Sequence, residues 1–193
     1  MLVKIDTMKY LKMMKTEYDF TRKFSLLDTN ILKEMTQKTK RSESFRPLFQ
    51  FLKDKDISLF IIEPTRFELV GYNTNRSDFD KLNTWIGKFP SLPLTKEDIS
   101  SATMLSSLYK SKNSSINPKQ ISFIDCLYAA QVIKYKGMAF IVTNDVNDYP
   151  NFLFDMPHYI PIEEMDGATS FVGFKTYNEN KWVKLQENFN TSS

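Results

Sequence analysis

Five carboxylates sit where the sequence is otherwise apolar. Asp28 follows Phe24, Leu26 and Leu27, and is itself followed by Thr29 and Asn30 before the apolar pair Ile31 and Leu32. Asp145 and Asp148 come directly after the run AFIVT (139–143), which is apolar up to its final threonine. Glu68 lies in the segment after a second apolar run, ISLFII (57–62), and Asp125 is flanked by Ile124, Cys126 and Leu127. A lone buried carboxylate is costly unless something pairs with it, and carboxylates sharing a site raise one another's pKa. A divalent cation relieves both penalties. Oxygen ligands alone suit Mg²⁺ or Mn²⁺, which keep several waters and share them with phosphate oxygens. With one Cys (Cys126) and one His (His158) in the chain, a zinc site is disfavoured. The chemistry these residues suggest is metal-dependent phosphodiester hydrolysis. Thr29, Asn30, Thr143 and Asn144 place hydroxyls and amides beside the acids, where they could orient ligands or bound water.

Each acid also has a plainer use. Asp28 could cap a helix starting at Asn30, and Asp125 could cap its own helix or pair with a lysine. Glu68 on a helix exterior would be a solvated charge, and Asp145 and Asp148 are ordinary turn residues. The argument for chemistry therefore rests on joint placement. Acids separated by over a hundred residues can meet only if the fold brings the ends of their strands and helices to one edge.

The elements that would do this are visible. Phe24–Leu27, ISLFII and AFIVT read as strands, the last two as buried on both faces. Helical spacing is present over Asn30–Thr39, Arg46–Lys53, Asp78–Gly87, about 96–111, and from Ile121 or Ser122 to Gly137. Thr95 with Asp98 forms a capping signature for the fourth of these. Pro64 breaks the ISLFII strand and Thr65 is placed to cap the helix carrying Phe67, Leu69 and Val70. PSLPLT (90–95), with two prolines, is at most a short edge strand. Further on, YIPI reads as a strand, FVGFKTY with KWVKL as a small hairpin around Asn178–Asn180, and NFNTSS as a disordered end. Strands alternating with helices indicate an α/β domain with a parallel sheet, whose sites form at the carboxyl ends of the strands.

Size and composition are compatible with one such domain. The chain has 193 residues, 41% hydrophobic and 25% charged, with sixteen Phe and nine Tyr to fill a core. The net charge of +3 gives no bulk argument for nucleic acid, although the first 60 or so residues are rich in Lys and Arg and the segment from Asp145 to Asp166 is mostly acidic. Cys126 reads as a small buried hydrophobe, and a lone thiol fits a reducing compartment. No apolar run is long enough to span a membrane, and the N-terminal MLVKIDTMKYLKMMKTEYDF lacks a signal-peptide core, so a cytoplasmic location is expected.

Four stretches, in order, resemble the motifs of PIN domains, especially the VapC-type toxin ribonucleases. LLDTNIL (26–32) is similar to the first-strand motif, TRFELVGY (65–72) to the Thr…Glu-Leu-x-x-Gly helix, and IDCLYAAQVI (124–133) to the Asp-x-x-x-Ala-Ala helix. VTNDVNDY (142–149) is similar to the Thr-x-Asp/Asn-x-x-Asp-Phe loop, with Tyr149 where Phe is usual. The resemblance covers roughly residues 24 to 150. It implies a three-layer α/β/α PIN-like domain with a central, mainly parallel sheet over 24–155, flanked by an N-terminal extension (1–23, with helical spacing at Val3, Ile5, Met8, Leu11 and Met14) and a C-terminal extension (156–193). It implies Asp28, Glu68, Asp125 and Asp145 as catalytic acids, and Asp28, Asp125, Asp145 and Asp148 as ligands of Mg²⁺ or Mn²⁺. Single-stranded or structured RNA would be the substrate, with an inhibitory antitoxin and a homodimer as partners. A basic rim for RNA could come from Lys33, Lys38, Lys40, Arg41, Arg46 and Lys119. The alternatives are a PIN-like module that binds RNA or protein without cutting, and a DNA-directed nuclease of related fold.

Overall fold

The computed structural model describes residues 19–21, 23–36, 40–71, 75–112, 121–164 and 166–190. The N-terminal helix expected over residues 3–18 lies outside them.

Six strands form one sheet in the order β3-β2-β1-β4-β6-β5. β1 (Phe24–Leu27) runs parallel to β2 (Ser58–Ile62) on one side and β4 (Ala139–Thr143) on the other, and β2 is parallel to β3 (Ser91–Leu92). β5 (Phe154–Glu163) and β6 (Thr169–Tyr177) make an antiparallel hairpin, and β6 is also antiparallel to β4. The chain is therefore a mixed α/β domain with a mainly parallel central sheet.

Alternation along the strands sends side chains to two cores. Leu26, Ile62, Ala139 and Ile141 pack with α6 (Lys96–Lys112) and α7 (Phe123–Lys134) on one face. Leu27, Ile61, Phe140 and Val142 pack on the other with α1 (Thr29–Thr36), α3 (Arg46–Asp54), α4 (Glu63–Val70) and α5 (Arg76–Ile86). The short α2 (Lys40–Ser44) joins α1 to α3. Every residue of β4 is buried, as expected for a central strand. β2 departs from expectation: Ser58 is exposed and Leu59 and Phe60 are only half-buried. Its outer neighbour β3 has two residues and covers only Ile61 and Ile62, so the start of β2 is left near the sheet margin.

Two other local expectations are corrected. α4 begins at Glu63 with Ile62 at its N-cap and no side-chain cap, so Thr65 does not cap it. Pro64 sits in the first turn, where its missing N–H costs nothing, and this lets the helix start ahead of Thr65. KWVKL is not a strand but part of α8 (Glu179–Asn190), with the Asn178 side chain accepting the Lys181 N–H at 3.3 Å. FVGFKTY pairs instead with the preceding strand, β5, so the position 155/156 falls inside a strand of the main sheet. α8 also includes Asn188–Asn190, and only 191–193 of the expected disordered end lie outside the described residues.

The Thr95/Asp98 signature forms as expected and does more than cap. Asp98 Oδ2 accepts the Thr95 N–H at 2.8 Å and the Lys134 ammonium at 2.9 Å, which clamps the start of α6 to the end of α7. Burial pushes the Asp98 pKa up, but the Thr95 amide and Lys134 outweigh it and hold the carboxyl below its ordinary value. Asp98→Ala should therefore destabilise the chain by about 2 kcal/mol in urea unfolding at pH 7. Because the folded pKa is depressed, this contribution is present above the ordinary value of 3.8 and is lost on further acidification. The difference between wild type and variant should shrink as pH falls below about 4.

Candidate active site

In a sheet ordered 3-2-1-4, the chain leaves β1 toward β2 and returns to β4 on β1's other side. The switch lies between the carboxyl ends of β1 and β4, the position where open α/β sheets form crevices. Asp28 directly follows β1 and Asp145 lies two residues beyond β4. α4 begins directly after β2, and α7, which runs back to feed β4, starts at the same edge. Their Glu68 and Asp125 are thereby carried to this rim.

Hydrogen bonds join the two strand ends. Asp28, buried to 5% exposure, accepts on Oδ2 from Thr143 Oγ1 at 2.6 Å and from Asn30 Nδ2 at 2.9 Å. Asn30 Nδ2 also donates to Thr143 Oγ1 at 3.1 Å, and Asn30 Oδ1 accepts the Asn144 N–H at 3.4 Å. Thr143 Oγ1 in turn accepts the Asp145 N–H at 2.9 Å. Thr29, at the first turn of α1, donates to Glu68 Oε2 at 2.5 Å. Of the four residues that sequence reasoning put beside the acids, Thr29, Asn30 and Thr143 bond a carboxylate, and Asn144 reaches only Asn30, through its backbone N–H. Asp125 Oδ2 accepts from the Ser122 N–H at 3.0 Å and Ser122 Oγ at 2.7 Å, in a capping box that opens α7. The plainer use foreseen for Asp125 is therefore real, and it coexists with membership of the cluster.

The acids lie within electrostatic reach of one another. Asp28 is pushed up to about 7. Burial is the main cause, the Thr143 hydrogen bond opposes it, and the charges of Asp125 and Glu68 add to it. Asp125 is also raised, first by burial against the opposing Ser122 bonds, then by the charges of Glu68 and Asp145. Asp148, at the end of the 3₁₀ turn Val146–Asp148, is buried to 9% exposure, and its charge is felt by the Tyr109 and Tyr149 phenols together with that of Asp125.

The donor set fits a hard divalent cation. In Asp28, Glu68 and Asp125 one oxygen is held by protein donors, and among the described residues the other accepts no side-chain hydrogen bond. The Tyr109 and Tyr149 hydroxyls, both buried and without a hydrogen-bond partner among the described residues, lie within reach of the charges of Asp125 and Asp148. Among the described residues, no group of three or more Asp, Glu, His or Cys side chains is placed to hold a metal ion by itself. A cation such as Mg²⁺, which binds through one or two carboxylates and keeps its waters, would not require such a group.

The basic rim fares unevenly. Lys33 on α1 and Arg46 on α3 are exposed. Arg41 is committed elsewhere: its guanidinium pairs with the buried Glu34 and, at 3.1 Å, with Glu164 at the end of β5. Lys38 and Lys119 lie outside the described residues, as does the side chain of Lys40. Sequence reasoning missed Ser122 as a carboxylate donor, gave Thr65 a cap and a motif position and Tyr149 only a motif position, and missed Tyr109 and Tyr128. The available signal was helical spacing: Thr65 is three residues before Glu68, and Tyr128 three after Asp125.

No protein-family model matches the chain, and no curated protein is significantly similar to it. Among the described residues, no helix is long and apolar enough to cross a membrane.

Proposed function

We propose that this chain is a divalent-metal-dependent endoribonuclease of PIN-like type, acting as the toxin of a toxin–antitoxin pair. The observation that carries the reading is the convergence of Asp28, Glu68, Asp125 and Asp145, from four separate elements, at the switch point of the sheet within reach of one another's charge. The motif resemblance over residues 24–150 supports the family, the Mg²⁺ or Mn²⁺ cofactor, the RNA substrate, the antitoxin and the homodimer. When bound, the cation would neutralise the clustered carboxylates, polarise the scissile phosphate and lower the pKa of an attacking water. Of Asp28, Asp125, Asp145 and Asp148, one or two would contact it directly and the others through its waters, and Glu68, fixed by Thr29, would orient or deprotonate the water. Thr143 and Asn30 keep Asp28 aimed and hold the Asp145 loop against it.

The deciding experiment is digestion of a single-stranded RNA with Mn²⁺ and with excess EDTA. Cleavage undiminished by EDTA refutes the reading, and faster cutting of a flap DNA than of RNA moves it to a DNA-directed nuclease. A pH dependence is also expected. Asp28 must lose its proton to hold a cation, and its raised pKa places that loss near 7. At subsaturating Mn²⁺, cleavage should fall about tenfold per pH unit below 7 and level off above it, and saturating Mn²⁺ should move the inflection to lower pH.

A further inference from the structure

The acids of the site sit on separate elements, so their spacing depends on what joins those elements. Tyr128, fully buried on α7, donates its hydroxyl to the Leu27 carbonyl at 2.6 Å. The same oxygen lies 2.5 Å from Thr65 Oγ1, and since the phenol hydrogen is already used, Thr65 is the donor. Each bonded residue is adjacent to an acid. Leu27 immediately precedes Asp28, Thr65 is one turn before Glu68 on α4, and Tyr128 is one turn after Asp125 on α7. Residues three apart on a helix share a face, so the phenol oxygen is a common reference point for three of the four acids.

The Leu27 carbonyl is the last of β1. The Asp28 N–H bonds to Val142 of β4, so the carbonyl of the same peptide points to the opposite side, toward β2. Pairing between β1 and β2 has already ended at Leu26 and Phe60. Tyr128 therefore ties α7 to the last carbonyl of β1, where its register with β2 ends. Asp125 cannot make this tie, because its carboxylate bonds within its own cap to Ser122.

We propose that Tyr128 is a positioning residue: its hydroxyl sets the first turns of α7, and with them Asp125, at a fixed place relative to Asp28 and Glu68. The proposal rests on the acid cluster being the working site. Burial, and after it the charge of Asp28, keep the phenol protonated, so its donor persists across the physiological pH range.

The test uses the full chain with Tyr128→Phe, which removes one oxygen and keeps the ring. Mn²⁺ affinity is measured by titration calorimetry, and kcat and KM on a single-stranded RNA. Far-UV circular dichroism should be unchanged, Mn²⁺ Kd should weaken about tenfold, and kcat should fall about ten- to a hundredfold with KM within about threefold. Thr65→Ala should reproduce the loss, and Thr65→Ser, which keeps the hydroxyl, should restore Kd and kcat to within about threefold of wild type. Leu48→Val, on α3 in the core on the other face of the sheet, should lower Tm while leaving both unchanged. A Tyr128→Phe chain with wild-type Kd and kcat overturns the proposal, as does Leu48→Val losing both to the same extent. Wild type that binds Mn²⁺ without cutting RNA sinks the ribonuclease reading and leaves Tyr128 to be decided by Kd alone. Wild type that binds no Mn²⁺ overturns both.

Discussion

Asp28→Asn should abolish metal-dependent RNA cleavage and, in the absence of metal, make the protein more stable at pH 8. Both effects have one cause. Asp28 is buried among other carboxylates, and its pKa of about 7 against an ordinary 3.8 shows that the fold disfavours its charge. Between those values the folded state binds a proton that the unfolded state has lost. Stability therefore falls as pH rises through this window and is flat above it. The full difference corresponds to roughly 4 kcal/mol at pH 8. Asparagine has the same shape, and its carbonyl oxygen can still accept from Thr143 and Asn30 in place of Oδ2. The variant should accordingly be more stable by up to roughly 4 kcal/mol in metal-free urea unfolding at pH 8, with the gap closing toward pH 4. Activity should drop on the order of a thousandfold or more, since the lost group is the charge that meets the cation. Mn²⁺ should narrow this gap, because only the wild type should gain from it: a ligand adds about 2.7 kcal/mol at a hundred times Kd and about 4.1 kcal/mol at a thousand times Kd to the state that binds it. An Asp28→Asn chain that cleaves at the wild-type rate would remove the acid cluster from the chemistry altogether.

The parts of this design legible in sequence are those written in local chemistry. AFIVT has no polar side chain until its final threonine and is the central strand. Thr95 with Asp98 carries a capping pattern within four residues, and it forms. The joint placement of acids after apolar runs was also readable, because strand ends in a parallel sheet share an edge whatever the loops do. What was not legible depends on partners far away in the chain. Thr65 has the composition of a cap, yet its hydroxyl is used by Tyr128, 63 residues on. KWVKL is too short to separate a period of two from one of 3.6: Trp182 and Leu185 turn inward at helical spacing, which shows only across the whole of α8. Arg41 looked like a rim cation because nothing nearby announces Glu164, whose place beside it is set by the β5–β6 hairpin.

That hairpin bears directly on the site, and Gly173 is where the two meet. Gly173 on β6 lies opposite Thr143 of β4, the residue that bonds Asp28 and the Asp145 amide. A Cβ at this position would stand 2.6 Å from Val146 Cγ1 and 2.7 Å from Met156 Sδ. The methionine is flexible and can swing aside. Val146 is β-branched with little χ1 freedom, and it opens the 3₁₀ turn between Asp145 and Asp148. Relief of the clash must therefore come from the backbone of that turn. Gly173→Val should lower stability by about 2 kcal/mol through overpacking and should cut kcat about a hundredfold by displacing Asp145 and Asp148 from Asp28. Gly173→Ala should act in the same direction and less strongly. Val172→Ala separates the two consequences. Val172 is fully buried in the core on the other side of β6, so its truncation leaves a cavity and costs about 2 kcal/mol without pressing on the turn. If Val172→Ala and Gly173→Val lose stability alike but only the latter loses its rate, the hairpin supports the active-site loop by its close approach there. Equal loss of rate in both would reduce its contribution to stability alone.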